Sequence, residues 1–242
     1  MKLIALETSA KTASAAVVTE GKLLGVSSVT AGLTHSQTIL PLLETLLKGV
    51  SMELSDADGF AVSIGPGSFT GLRIGISAVK GMAQGLGKGC VGISTLEGLA
   101  WNFQGLHYTV CPVMDARCGQ VYTSLFWVNG GRPQRLWEDM AIPLDTLKEK
   151  LQSVEGDVML VGDGAELAFT ALASTGKVLL PPPALRYQSA ASVGFAALAH
   201  LETEEFLDPS ALLPAYLRLP QAERELLARQ AAQQATNPAT GR

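Results

Sequence analysis

The pattern that most limits how this chain can fold occurs twice. From the N-terminus, "KLIALET", "ASAAVVTEG" and "KLLGVSSVT" read as three strands, with a polar turn after the first and Thr19-Glu20-Gly21 as a hairpin signal before the third. From His107, "YTVCPVMDARCGQVYTSLFWVNGGRPQRLWEDMAIP" repeats the scheme as strand, turn, strand, a hairpin at Asn129-Gly130-Gly131, and strand. A carboxylate ends the opening strand of each copy, Glu7 in the first and Asp115 in the second, so the duplication extends to chemistry.

Beyond each meander, helix and strand alternate. After the first come the helix "THSQTILPLLETLLKG", the strand "GFAVSIG", the helix "SFTGLRIGISAVKGMAQGLG", the strand "CVGIS" and the helix "TLEGLAWNF". After the second, "LVGDGAELAF" reads as strand and helix, "LLPPPALRYQSA" as a proline-rich connector, and "SVGFAALAHLE" as an apolar helix. This predicts an α/β protein with the two-lobed actin-like, sugar-kinase-like (ASKHA) fold, a duplicated mixed sheet flanked by helices. The expected division is an N-terminal lobe over 1–106 and an abbreviated second lobe over 107–220 whose last helix returns to the first. A polar tail over 221–242 is expected to be partly disordered.

With 242 residues, 47% of them hydrophobic, the chain can fill real cores. Its formal charge of −4 gives no reason to expect independent binding to a polyanion, so any nucleic acid is expected to be held mostly by a partner. Three cysteines without C-x-x-C spacing indicate neither a disulfide framework nor a zinc knuckle. "MKLIALETSA" is unlike a signal peptide and no segment approaches about 18 uninterrupted apolar residues, so the expected location is cytoplasmic, away from membranes.

The stretch "SIGPGSFTGLRIGISAVKG" has the outline of a phosphate loop but fails both common patterns. Thr70 stands where G-x-G-x-x-G counted from Gly65 needs glycine, and G-K-[ST] is absent. Either Gly65-Pro66-Gly67 makes a strand-to-helix turn with Ser68 as helix cap, or the helix N-terminus accepts an anion. Beyond it, Gly71, Gly75, Ala78, Gly81 or Met82, and Gly85 recur at three- or four-residue spacing. Interior glycine costs about 1 kcal/mol relative to alanine, so this bare stripe calls for close packing, against the sheet or against a helix of another chain. The preceding helix presents a wide apolar face, with Leu40, Leu43 and Leu47 toward the core and Ile39, Leu42 and Leu46 about a third of a turn away.

Catalytic patterns are sparse. His35, His107 and His200 lie far apart with no H-x-x-x-H or H-E-x-x-H, and no serine sits in a G-x-S-x-G elbow. Neither a resident metal nor a cofactor is expected. Glu7 and Asp115 stand where an actin-like ATPase places carboxylates around Mg²⁺-phosphate, which keeps a small-molecule kinase or ATPase open as an alternative.

Six blocks, "LIALETS", "HSQTILPLLETLL", "GPGSFTGLRIGISAVKGMAQG", "GISTLEGLA", "DARCGQVY" and "PAYLR", in that order over Met1 to Arg218, resemble the bacterial TsaB (YeaZ) family. That family is related to TsaD, the subunit that makes threonylcarbamoyladenosine in tRNA. Catalytic relatives carry H-M-E-G-H after the fifth strand; here "TLEGL" puts Thr95 and Leu99 at the metal-binding histidine positions. The resemblance implies a noncatalytic scaffold that pairs with TsaD through two N-terminal helices and works with the ATPase TsaE, touching tRNA only within the complex. On this reading Ile39, Leu42, Leu43 and Leu46 supply apolar area and Gly71, Gly75 and Ala78 supply proximity. Leu72, Ile76 and Val79 either share the contact or face the core, and Glu7 and Asp115 mark a vestigial nucleotide site. Alone, the chain is expected to form a weak homodimer through the same face.

Overall fold

The computed structural model describes residues 1–218. Strands β1 (Lys2–Glu7), β2 (Ala13–Thr19) and β3 (Lys22–Val29) form an antiparallel meander, after which helix α1 (His35–Gly49) leads to β4 (Gly59–Gly65), parallel to β1. Helix α2 (Phe69–Leu86) carries the chain to β5 (Cys90–Ser94), parallel to β4, and α3 (Thr95–Trp101) begins without a loop.

The second half repeats this wiring. Strands β6 (His107–Asp115), β7 (Gln120–Asn129) and β8 (Gln134–Pro143) make the second meander, succeeded by α4 (Leu144–Gln152), β9 (Val158–Val161), α5 (Ala165–Leu172) and β10 (Val178–Leu179). A one-turn α6 (Pro183–Arg186) and then α7 (Ala190–His200) complete the helices. The sheet orders, β3-β2-β1-β4-β5 and β8-β7-β6-β9-β10, are the same order in two copies. The protein has the two-lobed actin-like α/β fold, with the second copy shortened: β10 has 2 residues where β5 has 5, and α5 has 8 where α2 has 18.

Because side chains alternate across a strand, β1 feeds two cores. Ile4 and Leu6 pack beneath α1 and α2, and Leu3 and Ala5 pack beneath α7, which comes back from the second half to cover the first sheet. Both faces are therefore covered, and β1 reads as an apolar run rather than an alternation. Helix α3 sits between the lobes, with Leu96, Leu99 and Ala100 in the core of the second sheet.

From Phe206 the chain runs back along α2 as a strap. Leu207 pairs with Cys90 on the open edge of β5, Lys80 Nζ donates to the carbonyls of Ser210 and Leu212, and Leu212 is buried in the core under α2. The Tyr216 ring lies 4.6 Å from Phe69, with its hydroxyl accepting from Arg73 Nε at 2.9 Å, and Arg218 donates to Ala116 O in the second lobe. No helix among the described residues is long and apolar enough to cross a membrane. The expected tail, 221–242, lies outside the described residues.

Two expectations need correction. The nine residues of α4 form a helix where the sequence pattern predicts none: Leu144, Leu147 and Leu151 give only a thin apolar stripe in a charged segment. Leu40, expected in the core, is 51% exposed, while Ile39 and Leu46 are buried with Leu43 and Leu47. The core direction of α1 is rotated from the expected one because β2 and β3 meet it along the Ile39–Leu43–Leu46 side.

Candidate functional site

The glycine-rich turn is filled by the chain itself. Ser68 caps α2, its Oγ accepting from Gly71 N at 3.3 Å, and its own N–H donates to Ser9 O at 2.7 Å. A Cβ on Gly67 would collide with Ser9 O, and one on Gly65 with Ala215 O, where the strap passes and Ala215 N–H donates to Ile64 O at 2.8 Å. These glycines admit two stretches of the chain's own backbone.

Glu7 and Asp115 occupy equivalent strand ends and make the same local turn. Each carboxylate accepts from the backbone N–H two residues on, Ser9 at 2.5 Å and Arg117 at 2.8 Å. Their surroundings differ. Glu7 is buried, its second oxygen taken by the Ser63 hydroxyl, and burial pushes its carboxyl up against the hydrogen bonds of Ser63 and Ser9 and the nearby His35. Asp115 is exposed and lines a cleft of about 440 Å³ with Ser9, Lys11, Ser68, Arg117, Asp163 and Arg218. The structure thus puts Asp115 on the cleft and locks Glu7 into packing beside it.

The helical face divides in two. Gly71 and Gly75 point inward: a Cβ on Gly71 would strike Thr8 O, and one on Gly75 would strike Thr8 Oγ1 and stand 3.2 Å from Val62 Cγ2. They bring α2 against the end of β1, where Thr8 Oγ1 donates to Gly71 O at 2.7 Å. Leu72, Ile76 and Val79 are buried with them, as are Ile39, Leu43 and Leu46 on α1. What stays accessible is a stripe one step round α2, made by Ile74, Ala78, Gly81, Met82 and Gly85, with nothing within 4 Å of a Cβ on Gly81 or Gly85. On α1, Leu42 also keeps partial access. It lies two turns from His35, whose ring stands 3.3 Å from a Cβ on Gly71, whereas Leu40 points about 160° away around the helix. Of the ten residues expected at a partner surface, Leu42 and Ala78 keep partial access; the other eight are spent on this chain's own core.

The "TLEGL" block opens α3. Thr95 and Leu99 are both buried, and Leu99 belongs to the core of the second sheet. Glu97 turns away from that core toward His200, its Oε1 accepting from Nε2 at 2.8 Å.

Residues 10–234 match the family model described as TsaD: tRNA N6-adenosine threonylcarbamoyltransferase. A Bacillus subtilis protein named tRNA threonylcarbamoyladenosine biosynthesis protein TsaB is 28% identical over 225 residues, 92% of this chain and 96% of that protein. The Escherichia coli protein of the same name is 30% identical over 172 residues, 68% and 72% of the two chains. The chain belongs to the TsaB (YeaZ) family. Among solved structures, YeaZ from Pseudomonas aeruginosa superposes with a TM-score of 0.74 at 25% identity, covering 89% of this chain and 99% of that one.

Against that family background, the residue missed in sequence is Asp163. It lies just past β9 in Gly162-Asp163-Gly164, the point in the second lobe that Gly65-Pro66-Gly67 occupies in the first, and it faces the cleft. Burial pushes its carboxyl up, Asp115 adds in the same sense, and Lys11 and Gln188 oppose. The duplicated G-x-G before a helix was the signal that would have found it. In this TsaB-family chain the cleft therefore carries two acids from the second lobe and none from the first.

Proposed function

We propose that this chain is the noncatalytic scaffold subunit of a cytoplasmic threonylcarbamoyl-transferase complex. It docks on TsaD through α1 and α2 and, with the ATPase TsaE, supports transfer of threonylcarbamoyl to N6 of adenosine 37 in tRNAs reading ANN codons. The observation that carries the reading is the open stripe of Ile74, Ala78, Gly81, Met82 and Gly85 on α2, where two glycine positions one turn apart leave room for another backbone, with Leu42 of α1 also partly accessible. Two buried, non-ligating side chains at Thr95 and Leu99 support the noncatalytic role, since neither a hydroxyl nor an isobutyl group replaces an imidazole on a transition metal. The formal charge of −4 agrees with tRNA being held chiefly by the partner. Without TsaD the same stripe pairs two copies of this chain weakly, and the heterodimer displaces that homodimer.

Sedimentation velocity of the chain alone and mixed with TsaD tests this. Gly81→Leu and Gly85→Leu are the informative variants, because each side chain enters open space in the free chain and fills the gap a partner helix needs. The expected result is a heterodimer with the parent chain and none with the double variant, folding unchanged by circular dichroism. Full-strength pairing by the double variant overturns the surface assignment. Absence of any complex overturns the scaffold reading in favour of an independent kinase or ATPase, which heat on titration with Mg²⁺-ATP then registers.

A further inference from the structure

Where the two lobes meet beside α3, six polar side chains form a connected network. Ser94, the last residue of β5, accepts from Glu97 N at 3.3 Å as the cap of α3 and donates its hydroxyl proton to Asp139 on β8. Asp139 pairs with Arg135 on the same strand, and Arg135 also donates to Ser124 Oγ at 3.2 Å and lies 4.7 Å over the Phe126 ring. The Arg135 guanidinium reaches back to Glu97 Oε2 at 3.7 Å, while Glu97 Oε1 takes the 2.8 Å hydrogen bond from His200 at the end of α7.

The circuit joins the edge strand of the second sheet, β8, to β5 and α3, and through His200 to α7, which covers the first sheet. A change in the angle between the sheets strains Ser94–Asp139, which ties β5 to β8, and Glu97–His200, which ties α3 and the Arg135 behind it to α7. Glu97 is 18% exposed and uses both oxygens on different elements, so it is the member that holds three of them at once. We propose that Glu97 is a positioning residue that fixes the angle between the two lobes, and that its hold tightens when His200 carries a second ring proton.

Neutral imidazole donates through one nitrogen only; the doubly protonated ring donates to Glu97 through Nε2 while Nδ1, 3.6 Å from Glu204, faces a second carboxylate. The charged groups facing His200 are Glu97 from α3, Glu204 just beyond α7 and Arg135 behind Glu97 on β8, with the Arg132–Glu202 pair at the neighbouring β7–β8 turn. The hydrogen bond to Glu97 raises His200 above its ordinary value of 6.5, half-burial opposes it, and Glu204 adds to the rise. A raised histidine contributes fully below its unfolded value and loses that contribution as pH climbs through the folded one. The clamp is therefore tightest on the acid side and slackens above it.

The test needs no partner protein. Cys118, exposed in the second lobe, and a cysteine introduced by Gln84→Cys on the outer side of α2 take nitroxide labels, while Cys90 and Cys111 are buried. Pulsed electron paramagnetic resonance then reads the interlobe distance distribution between about pH 5.5 and 8.5. The parent protein should give a narrow distribution at low pH that broadens as His200 deprotonates. Glu97→Gln should be broad throughout, and His200→Gln should hold one width at all pH values. A parent distribution that does not change with pH overturns the proposal, as does broadening that persists in His200→Gln. Because His200 is a third exposed and a glutamine amide can still donate a hydrogen bond to Glu97, His200→Gln decides the matter even where Glu97→Gln does not fold.

Discussion

Replacing single glycines of α2 by alanine separates those spent on internal packing from those left open. In a helix interior the substitution is worth about 1 kcal/mol when the new methyl meets nothing. Gly81 has open space at its Cβ position, so Gly81→Ala should gain most of that. At Gly75 the same methyl overlaps Thr8 Oγ1 and presses on Val62. Thr8 is fully buried and its hydroxyl is committed to Gly71 O, so it cannot withdraw without giving up a buried hydrogen bond. Overpacking costs about 1–3 kcal/mol and an abandoned buried donor about 1–3 kcal/mol, which together outweigh the helix gain.

Gly75→Ala should therefore lose about 1–5 kcal/mol net, leaving the two variants about 2–6 kcal/mol apart. At about 2–4 °C per kcal/mol for a chain of this size, their midpoints should differ by on the order of 10 °C. Urea unfolding followed by circular dichroism measures the gap, with an unchanged slope confirming that native stability has moved. If Gly75→Ala proves as stable as Gly81→Ala, the assignment of Gly71 and Gly75 to internal packing is wrong.

Acidification supplies another measurement: burial raises Glu7, so its contribution to stability is full below the ordinary value of 4.5 and is lost as pH rises through the folded one. Glu7→Gln should flatten that part of the stability profile and leave the protein no less stable at neutral pH, as urea midpoints against pH will show. Alkylation of the native protein by iodoacetamide should modify Cys118 alone, because Cys111 is buried with its thiol pushed up to about 12 and burial also raises Cys90; mass spectrometry showing a second adduct before unfolding would contradict this. Leu212→Ala, in the strap and buried under α2, should cost about 2–5 kcal/mol and free Tyr216 from Phe69, visible as a lower urea midpoint and altered near-ultraviolet dichroism.

The order of elements in the first half was legible because each of its strands is a short apolar run bounded by turn residues and α1 and α2 carry stripes at 3.6-residue spacing. Periodicity gave the faces of the helices less well. It finds that α2 has a small-residue stripe, but that stripe is wide, and which half faces the sheet depends on where Thr8 arrives from the end of β1 and Val62 from β4. The same limit applies to α1, where Leu40 and Leu42 look alike in sequence and point about 160° apart. The strap was the least legible feature, since nothing local in "FLDPSALLPAYLR" says that it will run back along a helix more than a hundred residues earlier.

The duplication explains why the glycine-rich turn looks like a phosphate loop while packing like a joint. In both lobes the strand-to-helix turn carries G-x-G, and in both the second glycine presses on the backbone at the end of the lobe's first strand: Gly67 on Ser9, Gly164 on Met114 and Asp115. Close approach between these two segments is what the repeated pattern preserves. Charge is what the copies have let diverge. The first lobe has proline between its glycines and a carboxylate, Glu7, sealed under Ser63 and Ser9; the second has Asp163 between its glycines and an open carboxylate, Asp115. Lys11, Arg117 and Arg218 line the same cleft as those two acids, but at α2's N-terminus the Ser68 N–H is already bonded to Ser9 O. Whatever the ancestral turn held, in this chain its glycines are used to seat one backbone against another.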